Sequence, residues 1–264
     1  MNEYSKIFFK CEVNLVVCIL DDYTSKPIAG KNVSVYIEGI KQKPVNKKGC
    51  FVFINLENGV YKLKIDSEHY YNEVIEIDTV KLKSDDSVLY VRLRPMPSYP
   101  FDAGAGLLRM KFIDTEDKPI KNTQVNAFIV SKENYRAKIV QKKVKKGDEK
   151  LPLICAGGYL THGETLYIAD EDKSEECTIE AYDNYDEGII KLRQPLNYEH
   201  AQGTLLMPAV ITFTDDRGEA VIYFKNFSIR MFEIRINMEY RGKSLSINYT
   251  VEEGKSIYLG HIKL

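Results

Sequence analysis

From Val13 onward the chain is written in short apolar runs of period two, each closed by a turn residue, with almost no helical periodicity. That rhythm leaves few folds open. Side chains repeating every second residue put one face of a strand against a core, and many short strands closed by Gly, Pro or Asp stack into sandwiches or barrels. Val13 to Leu20 is apolar and rich in β-branched residues and stops at Asp21-Asp22. Lys31 to Ile37 alternates, Cys50 to Ile54 follows the Lys48-Gly49 turn, and Val60 to Ile65 alternates again. With Val74 to Ile77 and Val88 to Leu93, the set reaches the roughly seven strands of a sandwich.

The pattern breaks between Arg94 and Gly106, where three prolines and two glycines fall within thirteen residues. Proline cannot donate to a ladder, so this segment is expected to join two domains, semi-rigidly. The expected division is a sandwich over 1–96, a Pro-rich linker over 97–102 and a second sandwich over 103–264.

After the break the opening motif returns. Leu15 to Ile37 reads LVVCILDDYTSKPIAGKNVSVYI, and Leu108 to Ile129 reads LRMKFIDTEDKPIKNTQVNAFI. Both hold a strand, an Asp-led turn, Lys-Pro-Ile and an alternating strand, which reads as an internal duplication in tandem. The Gly49 turn before Cys50 to Phe53 is likewise echoed by Gly218 before Glu219 to Phe224. These two motifs lie close together in the first copy and far apart in the second. The second copy therefore carries an insertion at about 131–208, apolar enough to be folded.

The 37 Lys and Arg against 38 Asp and Glu leave no global field to collect nucleic acid or an anionic membrane, and neither is an expected partner. No run is long enough to span a bilayer. Met1 to Lys10 lacks the apolar stretch and cleavage site of a secretory leader, so the expectation is cytoplasmic synthesis without a signal peptide, followed by incorporation into an exported or assembled particle. Cys11, Cys18, Cys50, Cys155 and Cys177 are irregularly spaced, with no CxxC pair, and read as free, mostly buried thiols.

Asp21-Asp22-Tyr23-Thr24-Ser25-Lys26-Pro27-Ile28-Ala29-Gly30 is followed by Gly49-Cys50-Phe51-Val52-Phe53-Ile54-Asn55-Leu56-Glu57-Asn58-Gly59-Val60-Tyr61. In this succession of turn, aromatic strand and Asn-Leu-x-x-Gly-x-Tyr, residues 12–93 resemble the carboxypeptidase regulatory-like, or transthyretin-like, family. The second module shows a split version of the same pattern. The resemblance implies an all-β fold of two transthyretin-like Greek-key sandwiches in tandem, without catalysis or cofactor, serving as a structural or protein-interaction part. The Pro95-Met96-Pro97-Ser98-Tyr99-Pro100-Phe101 joint also resembles proteins of phage-tail-like contractile systems, which implies an accessory role in such an assembly. Carbohydrate or cell-surface binding is the alternative.

Within that frame several constellations invite chemistry. Thr161-His162-Gly163-Glu164 with Cys155 and His200 offers metal-ligand types, but at unspecific spacing, and no zinc-hydrolase helix motif exists. Cys155 with His162 would be a nucleophile pair, although Cys155-Ala156-Gly157-Gly158 reads equally as a strand end and turn. An internal Lys–Asn cross-link would draw on Lys10 or Lys111 and on Asn248. Asp183 to Glu187 clusters oxygen ligands without the spacing of a calcium loop. The basic run Lys142, Lys143, Lys145 and Lys146 suits an acidic partner or a solvated hairpin. Tyrosines in turn-rich regions, Tyr70-Tyr71 and above all Tyr182, Tyr185 and Tyr198, suit protein or sugar contacts.

Overall fold

Alternation in the sequence becomes alternation of burial in space. The structure, a computed structural model, describes residues 13–29, 32–81, 88–224 and 229–264. Helical backbone among the described residues is limited to two single 3-10 turns, at Lys132–Asn134 and Glu171–Lys173, and the fold is all-β. The chain divides into two compact units, Met1–Asp21 with Lys26–Leu93, and Asp22–Ser25 with Arg94–Leu264.

The first unit contains β1 (Val13–Asp21), β2 (Val33–Ile37), β3 (Val45–Lys47), β4 (Cys50–Ile54), β5 (Val60–Ser67), β6 (Glu73–Asp78) and β7 (Val88–Leu93). They form one sheet in the order β3-β4-β1-β7 and another in the order β2-β5-β6. Leu15, Val17 and Ile19 of β1, Val35 and Ile37 of β2, Leu63 and Ile65 of β5 and Leu93 of β7 are all buried. These alternate positions are the core that the period-two pattern requires.

The second unit contains β8 (Leu107–Ile113), β9 (Gln124–Ile129), β10 (Ala137–Ile139), β11 (Lys143–Val144), β12 (Lys150–Cys155), β13 (Thr165–Ala169), β14 (Glu175–Asn184), β15 (Ile189–Leu192), β16 (His200–Ala201), β17 (Leu205–Phe213), β18 (Glu219–Tyr223), β19 (Met231–Tyr240), β20 (Lys243–Glu252) and β21 (Ser256–Lys263). A three-stranded sheet runs β18-β8-β21, and a nine-stranded one runs β10-β12-β15-β14-β13-β17-β9-β19-β20. One further pairing, β10 with β17, closes the first six strands of the long sheet into an antiparallel barrel. Its interior is Ile139, Leu151, Leu153, Leu166, Ile168, Ile179, Ile190 and Leu206, with Val144 of β11 buried in the same cluster. Beyond Pro208, β17 leaves the barrel and pairs with β9, so the barrel hangs on a strand of the sandwich.

The strand order of the two units corresponds. β4-β1-β7 matches β18-β8-β21, with the last strand parallel to the first, and β2-β5-β6 matches β9-β19-β20. Hydrogen bonds at the shared motif correspond as well. Ile19 N–H donates to Gly49 at 3.0 Å and Ile28 N–H to Ile19 at 2.9 Å; Phe112 N–H donates to Gly218 at 2.8 Å and Ile120 N–H to Phe112 at 3.0 Å. Both glycines have positive φ, +88° and +77°, and a Cβ there would meet the Lys-Pro-Ile turn: Pro27 Cβ at 3.1 Å in one unit, Pro119 Cβ at 3.1 Å in the other. The echo in the sequence is thus a physical coupling, since the turn comes so near that only glycine leaves room for it.

The expectation of free thiols fails in the first unit, where Cys18 and Cys50 form a disulfide. The two face each other directly across β1 and β4, with Cα atoms 4.0 Å apart, next to the hydrogen-bonded Ile19–Gly49 pair. A non-hydrogen-bonded antiparallel pair is where side chains approach most closely. Lys111 and Glu219 occupy the corresponding pair in the second unit. Cys155 and Cys177 are free, and Cys11 lies outside the described residues.

Candidate functional site

The most organised surface feature lies on the barrel, where residues 156–164 join β12 to β13. Arg136, just before β10, reaches under this loop. Its Nε donates to Glu164 Oε1 at 2.8 Å, its Nη1 to the carbonyls of Gly157 at 2.9 Å and Gly158 at 3.2 Å, and its Nη2 to the carbonyl of Tyr159. Glu164 Oε2 in turn accepts from Thr161 N–H at 2.9 Å and from Thr161 Oγ1 at 3.0 Å. The pair is about four-fifths out of water, with side chains 21% and 20% exposed. A planar guanidinium can hold several carbonyls and a carboxylate at once, which fixes a glycine-containing loop that would otherwise be loose.

That brace places three tyrosines together. Tyr182, from the end of β14, accepts Leu160 N–H on its hydroxyl at 2.9 Å. Tyr185, in the following turn, has its ring centroid 5.0 Å from Tyr182 and 4.9 Å from Tyr159. Tyr159 is 66% and Tyr185 53% exposed, so both rings face solvent while Tyr182 anchors them from below. Desolvation within the cluster, and then the hydrogen bond with Tyr159, push the Tyr185 hydroxyl up to about 12. Burial also raises Tyr182, with the neighbouring Cys155 thiol adding to it.

Of the residues singled out in the sequence, Tyr182 and Tyr185 are therefore together, joined by Tyr159, which was not foreseen. Tyr198 lies elsewhere, its N–H donating to Glu175 at 3.0 Å. It adjoins Glu199, which pairs with Lys143 at 2.7 Å and Lys173 at 3.6 Å. Lys142, Lys143, Lys145 and Lys146 are all exposed, around a β11 that pairs with β16 and not with its immediate neighbour in sequence. Tyr70 is buried in the first unit, donating its hydroxyl to Asp21 at 2.9 Å, so it is a core residue.

The metal set does not assemble. Glu164 belongs to Arg136, His162 Nδ1 lies 2.6 Å from the Glu180 carbonyl, and His200 is fully buried elsewhere. His200 spans two carboxylates, Asp170 at 2.7 Å and Glu175 at 2.9 Å, which ties β16 to the start of β14. Among the described residues no group of three His, Cys, Asp or Glu side chains is placed to hold a metal ion. In the Asp183 to Glu187 stretch, Asn184 accepts two turn N–H groups and Asp183 pairs with Lys150 at 2.7 Å. Lys111 stands on a different sheet from Asn248, which is exposed and accepts from Arg235, so that cross-link is not formed; Lys10 lies outside the described residues.

No family model and no curated protein matches the chain. Solved structures similar to it include pilins. A streptococcal ancillary pilin is 7% identical over 96% of this chain and 69% of that one, with a TM-score of 0.26. A variant of the shaft pilin SpaA from Lactobacillus rhamnosus GG is 12% identical over 95% and 96%, with a TM-score of 0.25. BcpA, the major pilin subunit of Bacillus cereus, is 10% identical over 92% and 69%, with a TM-score of 0.24. Likeness at this level says nothing of what the chain binds.

Proposed function

We propose that the chain is a non-catalytic structural and protein-interaction protein. In this reading it consists of tandem transthyretin-like modules of the carboxypeptidase regulatory-like kind and serves as an accessory component of a tail-like contractile assembly. The observation that carries the reading is the braced cluster of Tyr159, Tyr182 and Tyr185. Rigid, exposed tyrosines with few rotatable bonds are what protein contacts concentrate on, because little entropy is lost when they are covered. The matching strand orders and turn hydrogen bonds support tandem modules. The Cys18–Cys50 disulfide suits use outside a reducing compartment, as an assembled or exported part would require.

The test is affinity recovery of the tagged chain from its native host, compared with a Tyr159→Ala/Tyr185→Ala variant. Stoichiometric sheath-, tube- or baseplate-like proteins recovered with the wild type and lost from the variant are the expected result. A wild type recovered alone refutes the reading. The same two exposed rings also favour a second reading, stacking on a sugar. Glycan binding that disappears in the variant would select it.

A further inference from the structure

Among the described residues the fold protects its sheet edges with one exception. Closure removes every edge from the six-stranded barrel. The outer strands of the first unit, β2, β3, β6 and β7, are three to six residues long. In the second unit β18 has five residues, and the eight of β21 are interrupted by a register shift between Tyr258 and His261. The other end of the nine-stranded sheet is β20. It is ten residues long, pairs with β19 without a register shift, and holds no Pro, no Gly and no charge between Ser244 and Val251. Among the described residues its far side pairs with no strand.

Which backbone groups face that open side follows from the hairpin. Tyr240 and Lys243 enclose the two-residue turn Arg241-Gly242, both residues at positive φ (+49° and +76°), and such a turn is closed by a hydrogen-bonded pair. At the far end Glu253 N–H donates to Arg230 at 2.8 Å. Both anchors fix the odd-numbered residues as bonded to β19. The N–H and C=O groups of Ser244, Ser246, Asn248, Thr250 and Glu252 therefore point outward. On the core-facing side Leu245, Ile247 and Tyr249 are only half-buried, an apolar row that one more strand would finish covering.

We propose that this edge is the contact surface for a second copy of the same chain, with β20 pairing antiparallel to β20 about a twofold axis at Asn248. The occupant is argued from self-complementarity. In that register Ser246 faces Thr250 and Ser244 faces Glu252 on the outer side. Leu245 faces Val251 and Ile247 faces Tyr249 on the core side, and exposed Lys243 faces exposed Glu253. Polar meets polar, apolar meets apolar, and opposite charges meet at both ends, as an isologous contact demands. A foreign strand would need no such symmetry. The result is one continuous sheet shared by two chains, formed by strand addition.

Sedimentation equilibrium of the full chain over a concentration series reads the outcome. The wild type is expected at twice the chain mass of 30.4 kDa. Ser246→Pro deletes an N–H aimed at the open edge and no ladder bond to β19, giving up only the Ser246–Asn237 side-chain bond at 2.8 Å. It is expected to halve the mass while circular dichroism stays unchanged. Should that variant unfold, the charge pair decides. Lys243→Glu alone weakens the dimer, and Lys243→Glu with Glu253→Lys restores it. A wild type that stays at the single-chain mass throughout overturns the proposal. So does a dimer that survives Ser246→Pro, or one that ignores the charge exchange.

Discussion

Replacing Arg136 by Met keeps the apolar stem and removes every bond that its guanidinium makes to the tyrosine loop. Its magnitude can be worked from the contacts. Breaking one partner of a buried ion pair costs about 3–5 kcal/mol. Arg136 and Glu164 retain about a fifth of their exposure, and Glu164 keeps two bonds from Thr161, so roughly 2 kcal/mol is the appropriate share here. The carbonyls of Gly157, Gly158 and Tyr159 belong to exposed residues and can turn to water, adding about 1 kcal/mol in all. The loss is therefore about 3 kcal/mol for the barrel, a factor of about a hundred in the opening of its loop. Amide exchange over residues 157–165 reads it locally, and urea unfolding followed by tyrosine fluorescence reads it over the barrel. A double-mutant cycle with Glu164→Gln isolates the pair, with an expected coupling of about 2 kcal/mol. Coupling below about 0.5 kcal/mol, with amides 157–165 exchanging as in the wild type, would refute the claim that Arg136 organises the site.

Three further outcomes are expected. Gly218→Ala puts a Cβ 2.6 Å from the Phe112 carbonyl oxygen at φ +77°, while Gly242→Ala at φ +76° meets nothing within 4 Å. Both should lose about 1 kcal/mol to the left-handed backbone, but Gly218→Ala should lose about 2 kcal/mol more to the clash. Equal losses by thermal unfolding would show that the turn gives way freely. For the thiols, mass-resolved alkylation of the native chain at pH 8 should modify half-exposed Cys155 and spare buried Cys177, whose thiol is pushed up to about 12 by burial and then by Glu175 and Glu176. Because the folded state holds that proton more tightly, its stability contribution is complete below the ordinary value of 9.0 and is lost as pH rises toward 12. The fall in urea midpoint across that window should shrink in Cys177→Ala, and an unchanged slope would count against the buried thiol.

The strands and the Lys-Pro-Ile turns were legible because they are local: alternation, proline and glycine act within a few residues. The same sequence hides whatever depends on which strands meet. Cys18 and Cys50 look like two buried thiols until β1 and β4 are put in register, and then they are directly opposed. Lys111 and Asn248 look like cross-link partners until topology sends them to different sheets. The basic run reads as its own hairpin, yet Val144 pairs with His200, and what binds His200 in place is a pair of carboxylates from Asp170 and Glu175. Barrel closure is the extreme case, since it depends on Ala137 and Lys138 finding Leu206 and Leu205 from the far end of the insertion. The site inherits that non-locality. Tyr182 and Tyr185 are neighbours in sequence and lie together, whereas Tyr159 joins them through Arg136, just before the strand that closes the barrel, which captures the loop carbonyls, and through the Leu160–Tyr182 bond. Closure of the ring and the shape of the tyrosine surface therefore depend on one another, so a change that opens β10 from β17 should loosen the cluster without touching a tyrosine.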